Sequence, residues 1–102
     1  MNFSMLGKAL ELKSQLDKTQ KKLAKMVVEA QSGEDAVRVT ASGQQKILSI
    51  TISPEVIDPD KADHLEKLLL KAISEALDKS TKLAGEHLGK LTGGFKIPGI
   101  TE

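Results

Sequence analysis

The chain has 102 residues, a formal net charge of +1, two phenylalanines and no tryptophan, tyrosine or cysteine. That length leaves room for one domain, residues 1–102, around one core. The missing thiols exclude disulfides and thiolate metal sites, and no apolar run is long enough to span a bilayer.

Met1-Asn2-Phe3-Ser4 lacks the basic and apolar regions of a secretory leader, so a cytoplasmic protein is expected. From Met5 to Met26, apolar or small residues recur at Met5, Ala9, Leu12, Leu16, Thr19, Leu23 and Met26, alternating spacings of four and three. That is a heptad seam, uninterrupted by glycine or proline after Gly7, and it predicts an arm helix over residues 1–26. Such a helix is about 33 Å long, whereas a six- or seven-residue strand covers about 20 to 23 Å. The helix must overhang any sheet it packs on, and its overhanging seam needs a helical partner, for which the second helix is the candidate.

The same helix holds Lys8, Lys13, Lys18, Lys21, Lys22 and Lys25 against Glu11 and Asp17. Residues 1–26 therefore carry +4, residues 27–57 carry −2 and residues 58–102 carry −1, which add to the whole-chain +1. With Met5 as a d position, Lys18, Lys21 and Lys25 form a stripe facing away from the seam, while Lys8, Lys13 and Lys22 flank it. Two readings stay open on charge alone: a solvated coiled-coil face, or a surface for a polyanion.

Residues 27–54 read as a three-stranded antiparallel meander. Val27-Val28-Glu29-Ala30 is a short strand, Ser32-Gly33-Glu34-Asp35 a turn, and Ala36–Ser53 a hairpin whose turn at Ser42-Gly43 tolerates positive φ. In its first strand Val37, Val39 and Ala41 alternate with Ala36, Arg38 and Thr40; in its second Leu48, Ile50 and Ile52 alternate with Ile47, Ser49 and Thr51. One face is apolar. Val37, Val39, Leu48, Ile50 and Ile52 are the candidates for a dimer interface, since an aliphatic, thin core in so short a chain predicts a homo-oligomer, most simply a twofold dimer.

Pro54 should end the third strand. Asp58-Pro59-Asp60 is a helix-start signal, and residues 58–92 form the second helix, with Ala62, Leu65, Leu69, Ile73, Ala76, Ser80, Leu83, His87 and Leu91 on one face. Asp63–Lys67, Glu75–Lys79, Asp78–Lys82 and Glu86–Lys90 are acid-then-lysine pairs four apart, so these lysines are expected to be answered locally. Gly85 and Gly89 mark either a kink or break into a third helix, or a close approach of two helices. Residues 93–102 are a tail in which Phe95, Ile97 and Ile100 are candidates to meet Phe3, Leu6 and Leu10. The fold class is α+β.

The chain resembles the YbaB/EbfC family of bacterial nucleoid-associated proteins over nearly its whole length. The likeness rests on the order of elements and on four segments: Glu29–Gly33 leading into Ala36–Thr40, Ile50–Glu55, Gly89–Gly94, and the Ile97-Pro98-Gly99-Ile100 tail. It implies a homodimer with a central body of sheets, projecting helical arms that resemble tweezers, and binding to double-stranded DNA in the nucleoid. The arm-helix lysines Lys8, Lys13, Lys18, Lys21, Lys22 and Lys25 are then the DNA-binding candidates. Gly33-Glu34-Asp35 and Ser42 depart from the family's usual turn residues.

Composition limits how DNA would be read. Arg38 is the sole arginine, so bidentate guanine contacts are scarce, lysine suits phosphates as a point charge, and two aromatics give no stacking platform for single strands. Phosphate-dominated duplex binding with weak sequence preference follows as an expectation. His64 and His87 lie far apart on one element, and Ser32-Gly33 and Thr92-Gly93-Gly94 are turn chemistry. No enzyme, metal, cofactor, membrane or small-molecule substrate is expected. The rival function is a protein-binding adaptor or chaperone-like coiled-coil dimer that does not bind nucleic acid.

Overall fold

The structure is a computed structural model that describes residues 3–91, with side chains from residue 5 onward. The tail residues Phe95, Ile97 and Ile100 and the Phe3 side chain lie outside the described set. The heptad segment forms one helix, α1 (Phe3–Lys25), which passes through Gly7 without interruption. Three strands follow, β1 (Val27–Ser32), β2 (Val37–Ser42) and β3 (Ile47–Ile52), paired antiparallel in the order β1-β2-β3. β1 continues past Ala30 because Gln31 and Ser32 still pair with Arg38 and Val37.

Pro54 does stop β3, and two 3-10 turns, Pro54–Val56 and Pro59–Lys61, lead into α2 (Ala62–Leu91). The Asp58 carboxylate accepts from the Asp60 N–H at 3.0 Å, so the start signal caps the second turn, and regular α-helix begins at Ala62. α2 then runs unbroken through Gly85 and Gly89. Of the two readings open at those glycines, the break is ruled out.

The core lies between α2 and one face of the sheet. Ala30, Val37, Val39, Ala41, Ala72 and Ala76 are buried, ringed by half-buried Val28, Ile47, Leu65, Leu68, Leu69 and Ile73. Alanines on α2 let the helix lie close on the strands. Two side chains tie it to β1: Ser32 Oγ donates to the Leu68 carbonyl at 2.6 Å, and Lys79 Nζ donates to the Glu29 carbonyl at 2.7 Å. α2 therefore lies over β1 and β2 and scarcely reaches β3.

That placement corrects part of the expected dimer surface. Val37 and Val39 are fully buried under α2, so they pack within the subunit, whereas Leu48 and Ile50 stay 48% and 44% exposed. A β-bulge also alters the alternation of β3. Thr40 pairs with Ser49 but Ala41 pairs with Ile47, which leaves Leu48 as the extra residue. Ile47 thereby packs against the core, and Leu48 stays exposed.

The turns also differ from expectation. Gly33, Glu34 and Asp35 all have positive φ, 63°, 56° and 71°, but in the β2–β3 turn the left-handed residue is Gln45, at 61°, and not Gly43. Gly43 is needed for space: a Cβ there would lie 2.7 Å from the Leu23 carbonyl oxygen. Its N–H donates to that oxygen at 2.9 Å and to the Met26 carbonyl at 3.0 Å, satisfying the end of α1.

The molecule measures 67 × 25 × 18 Å with a radius of gyration of 18.6 Å. A compact chain of this size would have about 13 Å. The elongation comes from α1, which reaches the sheet only at its C-terminal end. Leu23 is buried and Leu16, Thr19 and Met26 are half-buried, while Met5, Ala9 and Leu12 are exposed. α2 thus meets the lower part of the seam, and the upper part projects beyond that contact.

Candidate nucleic-acid interface

The heptad seam orients α1 on the body, and so determines where its lysines point. With Leu16, Thr19 and Leu23 turned inward, Lys8, Lys13, Lys18, Lys21, Lys22 and Lys25 are all exposed. Among the described residues none of the six enters a salt bridge. Their charge is open to solvent along a helix of 23 residues, about 34 Å at 1.5 Å per residue.

The acid–lysine pairs of α2 are not closed at salt-bridge distance among the described residues. Lys79 reaches the Glu29 carbonyl instead of Glu75, because packing on β1 offers it a fixed acceptor. The contrast between the helices is therefore one of composition, with α1 holding an excess of lysine and α2 near balance. Arg38 stands on the outer face of the sheet, 3.8 Å from Asp35, away from α2.

At the root of α1 the structure brings together residues that sequence reasoning did not connect. Gln44 Nε2 donates to the Gln20 carbonyl at 2.8 Å and lies 3.3 Å from Gln20 Oε1. On the other side Gln45 donates through its backbone N–H to Ser80 Oγ at 2.9 Å, and buried Ser80 donates to the Ser42 carbonyl. The β2–β3 turn is thus tied to both helices. Above it opens a cleft of about 490 Å³ lined by Gln20, Gly43, Gln44, Gln45, Thr81, Ala84, Gly85 and Leu88. The buried Gly85 belongs to this wall. No local sequence signal joins Gln20, Gln44 and Thr81, since their meeting depends on where two distant helices cross one turn.

Among the described residues there is no group of three or more His, Asp or Glu side chains placed to hold a metal ion. His64 is exposed and His87 half-buried on α2. No described helix is long and apolar enough to cross a membrane.

Comparison with known proteins agrees with this architecture. The model of the YbaB/EbfC DNA-binding family matches residues 1–95. A nucleoid-associated protein of Desulforamulus reducens is 46% identical over 78 residues, covering 76% of this chain and 74% of its own. One from Chloroflexus aurantiacus is 42% identical over 92 residues, with 90% of this chain and 92% of its own covered. The crystal structure of an uncharacterized protein from Helicobacter pylori has the same fold, with a TM-score of 0.80 at 18% identity over 91% of this chain and 99% of that one. With the family model matching nearly every residue and the helix–meander–helix order in place, the chain belongs to the YbaB/EbfC DNA-binding family.

Proposed function

We propose that this protein is a homodimer that binds double-stranded DNA through its backbone phosphates, with Lys8, Lys13, Lys18, Lys21, Lys22 and Lys25 as the contacts. The observation that carries this reading is the set of six exposed lysines on a projecting helix, none in a salt bridge among the described residues. Lysine without arginine gives attraction to phosphate and little base discrimination. In the cell such a protein acts in the nucleoid within the cytoplasm, organising DNA and influencing gene expression, with no catalytic step, and the whole chain serves as one unit.

The second subunit is assigned to β3. It is an edge strand, α2 leaves it largely uncovered, and Leu48 and Ile50 are exposed there. An exposed apolar edge invites pairing with another chain. The adaptor reading draws on Leu6, Leu10 and Leu12, which are 43%, 60% and 40% exposed on α1.

Gel-shift titrations on unrelated duplexes at about 50 and about 200 mM salt separate the two. If about six lysines per dimer engage phosphates, log affinity falls against log salt with a slope of roughly −5. The triple variant Lys18→Gln/Lys21→Gln/Lys25→Gln should weaken binding about tenfold or more at the lower salt and flatten that slope. Salt-independent affinity, or a triple variant that binds as the parent does, overturns the assignment.

A further inference from the structure

We infer that the chain beyond α2, residues 92–102, which lie outside the described set, runs on along α1 and covers the apolar flank of its projecting half, with Phe95 on Leu10 and Ile97 on Leu6. This contact needs no DNA. Beside the heptad seam of α1, the neighbouring row of exposed residues reads Leu6, Leu10, Lys13, Asp17 and Lys21 toward the sheet. The row is apolar only in its outer part. That change falls at the level where α2 stops. Ser80 and Leu23 hold the same β2–β3 turn, Ser80 Oγ accepting from Gln45 and the Leu23 carbonyl from Gly43. From Ser80, α2 passes Gln20 across the cleft at Ala84 and Leu88 and ends eleven residues on, at Leu91. That is a rise of about 16.5 Å, and the same rise back along α1 from Leu23 leads to Leu12.

The outer turns of α1 need such a cover. They stay helical although Gly7 weakens a helix and the first turn holds no acidic residue, so their stability depends on packing of the exposed Leu6 and Leu10. The sequence after Leu91 suits that role. Pro98 biases Ile97 to extended backbone, which puts Phe95 and Ile97 on one side, about 7 Å apart, and Lys96 on the other. Leu10 and Leu6 are about 6 Å apart along α1. The direction also agrees, since α2 leads the chain away from the sheet, as α1 does when followed back toward Phe3. Gly93 and Gly94 free the backbone to cross between the helices, and the four residues from Leu91 to Phe95 reach up to about 13 Å. A tethered segment is present at a far higher local concentration than a second copy. Lys8 and Lys13 stand on the covered turns, so this contact steadies the outer part of the basic arm and withdraws the leucines on which the adaptor reading draws.

The test uses the full chain without DNA. Because the protein has no cysteine, Lys96→Cys carries a single nitroxide, and NMR reads its reach. The amide signals of residues 6–13 should be lost, while those of residues 62–72 on α2, at the other end of the molecule, persist. Retention of the α1 signals overturns the inference. So does their loss from an isotope-labelled chain without nitroxide when it is mixed with nitroxide-bearing chains, which assigns the flank to a second copy. The variant Phe95→Ser/Ile97→Ser, which leaves every charge in place, should speed hydrogen exchange at residues 6–13 by about tenfold or more and leave exchange in α2 as it was. Unchanged exchange in α1 overturns the inference as well. None of these readings touches the DNA-binding proposal, which fails separately if the α1 triple variant binds like the parent.

Discussion

Gly43 and Ser80 hold the joint on which the rest of the molecule turns, and each does so by being small. A methyl group at position 43 would lie 2.7 Å from the Leu23 carbonyl oxygen and 3.0 Å from Leu23 Cδ2. The carbonyl belongs to helix backbone and has little freedom to retreat, so Gly43→Ala should destabilise the fold by about 1 to 3 kcal/mol, read from chemical denaturation. Ser80 is fully buried, accepts from the Gln45 N–H and donates to the Ser42 carbonyl. Ser80→Ala leaves both turn groups without that partner and should cost about 1 to 3 kcal/mol in the same measurement. Sequence reasoning placed Ser80 on the inward face of its helix from periodicity, but its partners lie 35 and 38 positions away. Gly43 was legible as a turn residue for a reason that proved different: a close approach, with the positive φ passed to Gln45.

α1 and α2 are both longer than the sheet that joins them. α1 spans 23 residues and α2 spans 30, against six in each strand. The heptad seam of α1 and the broader apolar face of α2 were plain from spacing, because helical period depends only on the residues of the helix itself. Continuity of α2 through its two glycines was not, because a single glycine costs a helix only about 1 kcal/mol, which neighbouring packing can offset. At Gly89 a Cβ would meet nothing within 4 Å. Gly89→Ala should therefore stabilise α2 by about 0.5 to 1 kcal/mol, raising Tm by roughly 2 to 8 °C in a thermal melt. A fall in Tm would show that the helix needs glycine there.

The molecule is polar in charge from end to end. Glu34, Asp35, Glu55, Asp58, Asp60 and Asp63 gather where the β1–β2 turn, the end of β3 and the start of α2 meet, whereas the lysine excess lies on α1 at the other end of the sheet. Under the proposed function, a duplex would be drawn to one end and repelled from the other, which would orient approach over a distance longer than any contact. A twofold dimer through β3 would present two such basic arms on one body. Ile50→Asp places a charge on the exposed edge strand, beside the buried Val39 with which Ile50 pairs, and, if a thermal melt shows the fold kept, should give a monomer in sedimentation where the proposed dimer of the parent is seen. An unchanged mass would move the interface elsewhere.

Local pattern was enough for the identity and order of the elements, the proline stop after β3, the apolar face of β2 and the stripe of lysines facing away from the seam. Each of these is written within a few neighbouring residues, as a period of two or of three to four or as a backbone preference. Three matters were decided only when the pieces packed. α2 settled over β1 and β2, burying Val37 and Val39 and leaving Ile50 in the open. The bulge at Thr40/Ala41 set Ile47 opposite Ala41 and against the core, with Leu48 left exposed. Gln20, Gln44 and Thr81 came to line one cleft. Such outcomes depend on where one rigid helix crosses a twisted sheet, a relation between residues dozens of positions apart that no short-range spacing encodes.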